Sequence, residues 1–143
     1  MNFLNTDLFF RNIQVEGYEN IIGMMVKKAE ELNLCHPEFH KEVLERERLS
    51  STAFDSMIAI PHSLYCNCEQ SFMGIVVNDE PIYWDDRKVH IVLLIGVKAK
   101  DEHFFQTIID NIIPFFSDNA NILRCLSVNT YDEFVETLSN LIF

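Results

Sequence analysis

A chain of 143 residues that is 48% hydrophobic and 23% charged has the balance of an ordinary soluble globular protein. Its net charge of −11, with no basic face in the sequence, excludes direct nucleic-acid binding by this chain, because a phosphate backbone is gripped by clustered Lys and Arg. The longest apolar runs, such as Ile91–Val97, are too short to insert in a membrane, Met1–Asp7 lacks a secretory-signal layout, and four scattered cysteines predict reduced thiols in a cytoplasm.

No repeat, low-complexity tract or Gly/Ser linker divides residues 1–143, so one domain is expected. Tyr18, Ile21, Ile22, Met25, Ala29 and Leu32 recur at helical spacing and predict an amphipathic helix. A second helix opens at His36-Pro37-Glu38-Phe39, where proline suits a first turn, and runs to about Leu49. Strands are expected at Met57–Ile60, Phe72–Val77, Pro81–Trp84 and Val89–Val97, the last apolar enough to be buried on both faces. Asp101 reads as the N-cap of a helix carrying Phe104, Ile108, Ile109 and Ile112, which Pro114 should kink or end. Thr130-Tyr131-Asp132-Glu133 matches a capping box before a closing helix to Phe143. Helices on either side of a run of strands point to an α/β layered domain.

The stretch Ile58–Ser63, "IAIPHS", carries the chemistry. Pro61 lacks an N–H and should end the strand ladder, which lets His62 project at the sheet edge. A neutral imidazole there can act as a nucleophile through one nitrogen when the other is held as a donor. Arg46 and Arg48 stand at the end of the preceding helix, and a guanidinium suits a phosphoryl group through several donors in one plane. His103 falls in the first turn of a later helix, where uncompensated N–H groups favour anions.

Other motifs are weaker. Cys66-x-Cys68 is a single pair and no metal site is expected from it; His36 and His40 lack the intervening glutamate of a zincin and read as a solvated pair. Ser63 has no nucleophile elbow around it, and there is no Walker or G-x-G-x-x-G loop, so no nucleotide or other cofactor is expected.

Arg46-Glu47, Ser51-Thr52, Ile58-Ala59-Ile60-Pro61-His62 and Glu102-His103, in that order along nearly the whole chain, resemble the enzyme IIA domain of the fructose/mannitol type. That family belongs to the phosphoenolpyruvate-dependent sugar phosphotransferase system. The resemblance implies a mixed β-sheet flanked by helices on both faces. It implies that His62 accepts a phosphoryl group from the phosphocarrier HPr, with Arg46 clamping its oxygens and His103 donating to them. A transport component would pass the group to a cysteine of a IIB domain. The family often carries a glycine shortly after the Ser-Thr pair, where this chain reads Ala53-Phe54-Asp55-Ser56. Glu80–Val97, "EPIYWDDRKVHIVLLIGV", is also similar to IIA-like domains at the C-terminus of transcription antiterminators and activators. By that likeness the chain is a regulatory module acting on domains of the same regulator, with stand-alone transport as the alternative.

Overall fold

The computed structural model describes residues 6–54 and 57–142. Among them, four strands and five α-helices follow one another as β1 (Phe9–Arg11), α1 (Tyr18–Glu31), α2 (Phe39–Leu49), β2 (Ile58–Ala59), β3 (Phe72–Trp84), β4 (Arg87–Gly96), α3 (Glu102–Phe116), α4 (Asn119–Leu126) and α5 (Tyr131–Ile142). The sheet order is β1-β3-β4-β2; β3 and β4 are antiparallel, whereas β1 and β2 pair in parallel with their neighbours, so the sheet is mixed. No helix is long and apolar enough to cross a membrane among the described residues.

Side-chain alternation splits the apolar residues between two faces. Ile91, Leu93 and Ile95 of β4 point into a core closed by α3, α4 and α5. Val92 and Leu94 point the other way, onto α1 and α2. From Ile91 to Gly96, strand β4 therefore has no polar face, as its unbroken apolar run predicts. Helices cover both faces, in agreement with the α/β expectation.

The two strands expected at Phe72–Val77 and Pro81–Trp84 are one strand, β3, whose register against β4 slips between Val77 and Ile82. Pro81, expected as the first residue of a separate strand, is tolerated inside β3 because it lies in that irregular stretch, beyond the residues that β1 pairs with (Ile75–Val77). Pro114 lies inside α3, which ends two residues later at Phe116. Asp101 does precede α3, but its carboxylate makes no cap bond and instead accepts from Ser71 Oγ at 2.6 Å. The capping box is present in part: Thr130 Oγ1 accepts from Glu133 N at 3.1 Å, while Glu133 Oε2 accepts from Asn129 N rather than from Thr130. The closing helix reaches Ile142, and Phe143 lies outside the described residues. His36 and His40 are not a solvated pair. His36 Nε2 lies 2.9 Å from Glu42 Oε1, and the His40 ring packs against α1 at Gly23, where an added Cβ would just touch it at 3.6 Å.

Gly96 faces Phe72 across the β3–β4 ladder, and the Phe72 ring covers the glycine so closely that a Cβ there would overlap it. Phe72 is fully buried and cannot swing out. Gly96→Ala is expected to destabilise the fold by about 1–3 kcal/mol, the usual cost of overpacking, measured by urea unfolding. Gly17→Ala meets no atom, and at φ 85° should cost only local backbone strain.

Candidate functional site

His62 stands beside β4 at the open edge of the sheet, just past β2. Pro61 does not end the alignment. Its carbonyl accepts from Ile95 N at 3.0 Å, and His62 bridges to Ile95 in the same parallel sense. Proline removes a ladder donor but not the acceptor, so an edge strand carries it. His62 is thus part of the sheet's frame rather than a loose rim residue.

A cleft of about 260 Å³ opens beside it, walled on one side by Arg46, Ser51, Thr52 and Phe54 and on the other by Phe105, Gln106, Ile109 and Ile113 of α3. The end of α2 belongs to one helical layer and α3 to the other, so the cleft straddles the sheet edge where the layers meet. The Phe105 ring lies against the imidazole, with centroids 5.4 Å apart.

His62 Nδ1 is 2.8 Å from the carbonyl oxygen of Ile60. A carbonyl only accepts, so Nδ1 carries the proton, and in the neutral ring Nε2 is left with its lone pair. Burial pushes the imidazole below its usual pKa of 6.5; the bond to Ile60 opposes that shift, the Arg46 charge adds to it, and Glu47 opposes it. At neutral pH the ring is therefore uncharged.

A chain of hydrogen bonds stands behind Ile60. Glu47 is 5% exposed, and its carboxylate accepts from Trp84 Nε1 at 3.0 Å, Thr52 N at 2.6 Å and Thr52 Oγ1 at 2.8 Å. Because the Thr52 hydroxyl donates to Glu47, its oxygen is turned to accept from Ile60 N, at 3.2 Å. Glu47 and Thr52 appear in the sequence only as members of the Arg-Glu and Ser-Thr pairs, with no role attached. Trp84 reads as packing. The backing of His62 is their joint product.

The two arginines of α2 separate. Arg46 Nη1 donates to Ser50 O at 2.8 Å, which holds the guanidinium at the cleft wall. Arg48 is exposed and donates to Glu19 of α1 at 2.9 Å, outside the cleft lining. His103 occupies the first turn of α3, exposed, and is not among the residues that line the cleft; Phe105 and Gln106 are. The structure therefore brings Arg46 and His62 to one cleft and leaves His103 on the helix that walls it. Gln106 had no signal in the sequence beyond its place one turn after His103.

Of the segment Ala53–Ser56, where the family often carries a glycine, Asp55 and Ser56 lie outside the described residues; Met57, the residue that follows it, is left-handed, with φ 65°. Its carbonyl accepts from His90 N and Ile91 N, which fixes the start of β2 against β4. Cys66 is half-buried, and burial pushes the thiols of Cys35, Cys68 and Cys125 up to about 12. Among the described residues no group of three or more His, Cys, Asp or Glu is arranged to hold a metal ion.

The family model for the phosphoenolpyruvate-dependent sugar phosphotransferase system, EIIA 2, matches residues 2–141. The chain is 32% identical over 141 residues to the mannitol-specific phosphotransferase enzyme IIA component of Halalkalibacterium halodurans, covering 96% of this chain and 95% of that protein. It is 28% identical over 123 residues to the transcriptional regulator ManR of Bacillus subtilis, covering 86% of this chain. Of ManR and a second regulator from the same organism it spans 19% and 20% of the length. Its fold is similar to that in the complex of enzyme IIAMTL and phosphorylated enzyme IIBMTL from Escherichia coli, with a TM-score of 0.74 and 20% identity over 96% of this chain and 97% of that one.

The lowered His62 pKa has a consequence for stability. Between the folded value and 6.5 the unfolded chain binds the extra proton, so the contribution is complete above about pH 6.5 and is lost as pH falls toward the folded value. His62→Gln should show a shallower loss of unfolding free energy than the parent over that interval. An NMR titration of the parent should place the His62 midpoint below 6.5, and a midpoint above it would contradict the geometry.

Proposed function

The chain belongs to the EIIA 2 family of the phosphoenolpyruvate-dependent sugar phosphotransferase system, and from that premise we propose that His62 is its phosphoryl acceptor, charged by the phosphocarrier HPr in the cytoplasm. The observation that carries this reading is the Nδ1–H bond to Ile60, which leaves Nε2 as the nucleophile in a cleft shared with Arg46.

In the proposed reaction the Nε2 lone pair attacks the phosphorus of a phosphohistidine on HPr. The donor's N–P bond breaks as the new one forms, and its electron pair returns to the donor ring. Such a transfer needs alignment and positive charge more than covalent machinery. Arg46 supplies the charge, and the apolar walls of Phe54, Phe105 and Ile109 limit its screening by water. His103 enters this reading as a contributor from the exposed first turn of α3, secondary to Arg46 because its side chain is not in the cleft lining. Leu64 and Tyr65, exposed two and three residues after His62, and Ile113 at the cleft give a partner an apolar rim to rest on.

We further propose that the phosphorylated domain serves as a regulatory module. Matches to regulators cover 92% and 86% of this chain yet only a fifth of those proteins, as a module within a longer protein does. The second reading, transfer to a cysteine of a IIB domain, is favoured by the near end-to-end match to a mannitol IIA component. Incubation with phosphoenolpyruvate, enzyme I and HPr, followed by a IIB domain and intact-mass analysis, separates them. Retention of the phosphoryl mass supports regulation, and its discharge supports transport.

His62→Ala should gain no phosphoryl mass while keeping its fold. Arg46→Lys keeps the charge but not the planar fork, and should slow transfer by about 10²–10³. His103→Ala should slow it less than Arg46→Lys. A phosphorylated His62→Ala protein, or an Arg46→Lys rate equal to the parent's, would contradict the assignment.

A further inference from the structure

We propose that Trp84 is a positioning residue for His62: its indole N–H, acting through Glu47 and Thr52, holds the imidazole in the tautomer that exposes Nε2. The inference rests on the proposed phosphoryl acceptor role for its functional meaning, but not for its geometry.

Trp84 ends β3 on the face of the sheet covered by α1 and α2, whereas Ile58 and Ile60 point into the opposite core. The indole cannot reach the cleft, and any influence must pass through bonds. The bonds are present. Trp84 Nε1 donates to Glu47 Oε2 at 3.0 Å, Thr52 donates to both oxygens of that carboxylate, Thr52 Oγ1 accepts from Ile60 N, and the Ile60 carbonyl accepts from His62 Nδ1–H at 2.8 Å. Each group in the series is buried or partly buried, so water is a poor substitute for a missing partner.

The indole itself is held from several sides. Trp84 has no exposed surface, and its ring lies 5.8 Å from that of Tyr18. The following Asp85 takes φ 59°, which turns the chain back so that Arg87 pairs with Trp84. A tight turn and a packed ring therefore fix one donor of the Glu47 carboxylate. Without it, the carboxylate would have only the backbone and hydroxyl of Thr52 on these sides and would be drawn to one or the other. The Thr52 oxygen would then no longer point reliably at Ile60 N. A phenylalanine would fill much of the same space; the N–H is what packing alone does not need.

The chain has a single tryptophan, so biosynthetic replacement by β-(3-benzothienyl)alanine exchanges that N–H for sulfur at one site and leaves the ring shape. The readout is the His62 tautomer from ring ¹⁵N shifts, together with the rate of phosphorylation by HPr. The expected result is an unchanged melting temperature to within a few degrees, a rise in the Nε2–H tautomer, and transfer slowed by about 10-fold, as when outer partners of functional histidines are removed. Unchanged tautomer populations in a folded analogue would overturn the proposal and return Trp84 to a packing role. Should the analogue fail to fold, Trp84→Phe reads the same link: it fills much of the space and lacks the N–H donated to Glu47 Oε2, so the His62 tautomer is expected to shift, and a tautomer that does not would overturn the proposal. The tautomer measurement needs no phosphoryl donor. A parent protein that HPr does not phosphorylate, with a tautomer that still tracks the indole N–H, would defeat the proposed function and support the positioning role.

Discussion

A carboxylate with 5% exposure has to be surrounded by donors, and Glu47 imposes that requirement on everything around it. Its three bonds come from two elements that are distant in sequence, the segment after α2 and the end of β3. Satisfying it fixes Thr52, and Thr52 in turn fixes the backbone at Ile60. The His62 tautomer is then set by a carbonyl whose direction the chain cannot easily change, since Pro61 follows it. A buried charge is costly to a fold, and here the cost accompanies a defined histidine tautomer. The site is a consequence of how the core solves a solvation problem.

The location of the cleft follows from the sheet. Strand β2 is short and lies last in the sheet order; on its outer side the described residues place the short Ala53–Phe54 pairing, and the cleft lies beside it where the two helical layers meet. The end of α2 and the face of α3 meet there, one bringing Arg46 and the other Phe105 and Gln106. Apolar walls beside one guanidinium favour a compact anion over diffuse binding. The acidic remainder of the molecule argues in the same direction: at net charge −11, the approach of a basic partner surface is favoured, and that of nucleic acid is not.

The sequence revealed those parts that depend on local periodicity or on tight spacing. Tyr18–Leu32 gave α1 almost to the residue, and the apolar run at Val89–Val97 gave a strand buried on both faces because neither depends on distant contacts. Strand β1 has three residues and α4 has eight, too few for a period to stand out, and both went unseen. Pro61 misled, because its missing N–H reads as the end of the ladder although its carbonyl still accepts from Ile95 N. Proline forbids a hydrogen bond only if its N–H was wanted, and whether it was wanted depends on neighbours the sequence does not name. The site divided similarly. His62, Arg46 and Arg48 were legible as chemistry-bearing residues at element ends, and the family resemblance chose Arg46; the Glu19 partner supplies the physical reason that Arg48 stands apart, and the placement of His103 outside the cleft lining needed the rotation of α3. The line from Trp84 to His62 crosses the sheet and has no sequence signature.

The central claim is that Nε2 of His62 is the reacting atom because Nδ1 is occupied by the Ile60 carbonyl. ¹⁵N–³¹P correlation spectroscopy on the protein phosphorylated through enzyme I and HPr, with ¹⁵N-labelled histidine, reads the bonded nitrogen directly. The account predicts phosphorus coupled to Nε2 of His62, with Nδ1 still protonated. Phosphorus on Nδ1, or on another histidine, would contradict it.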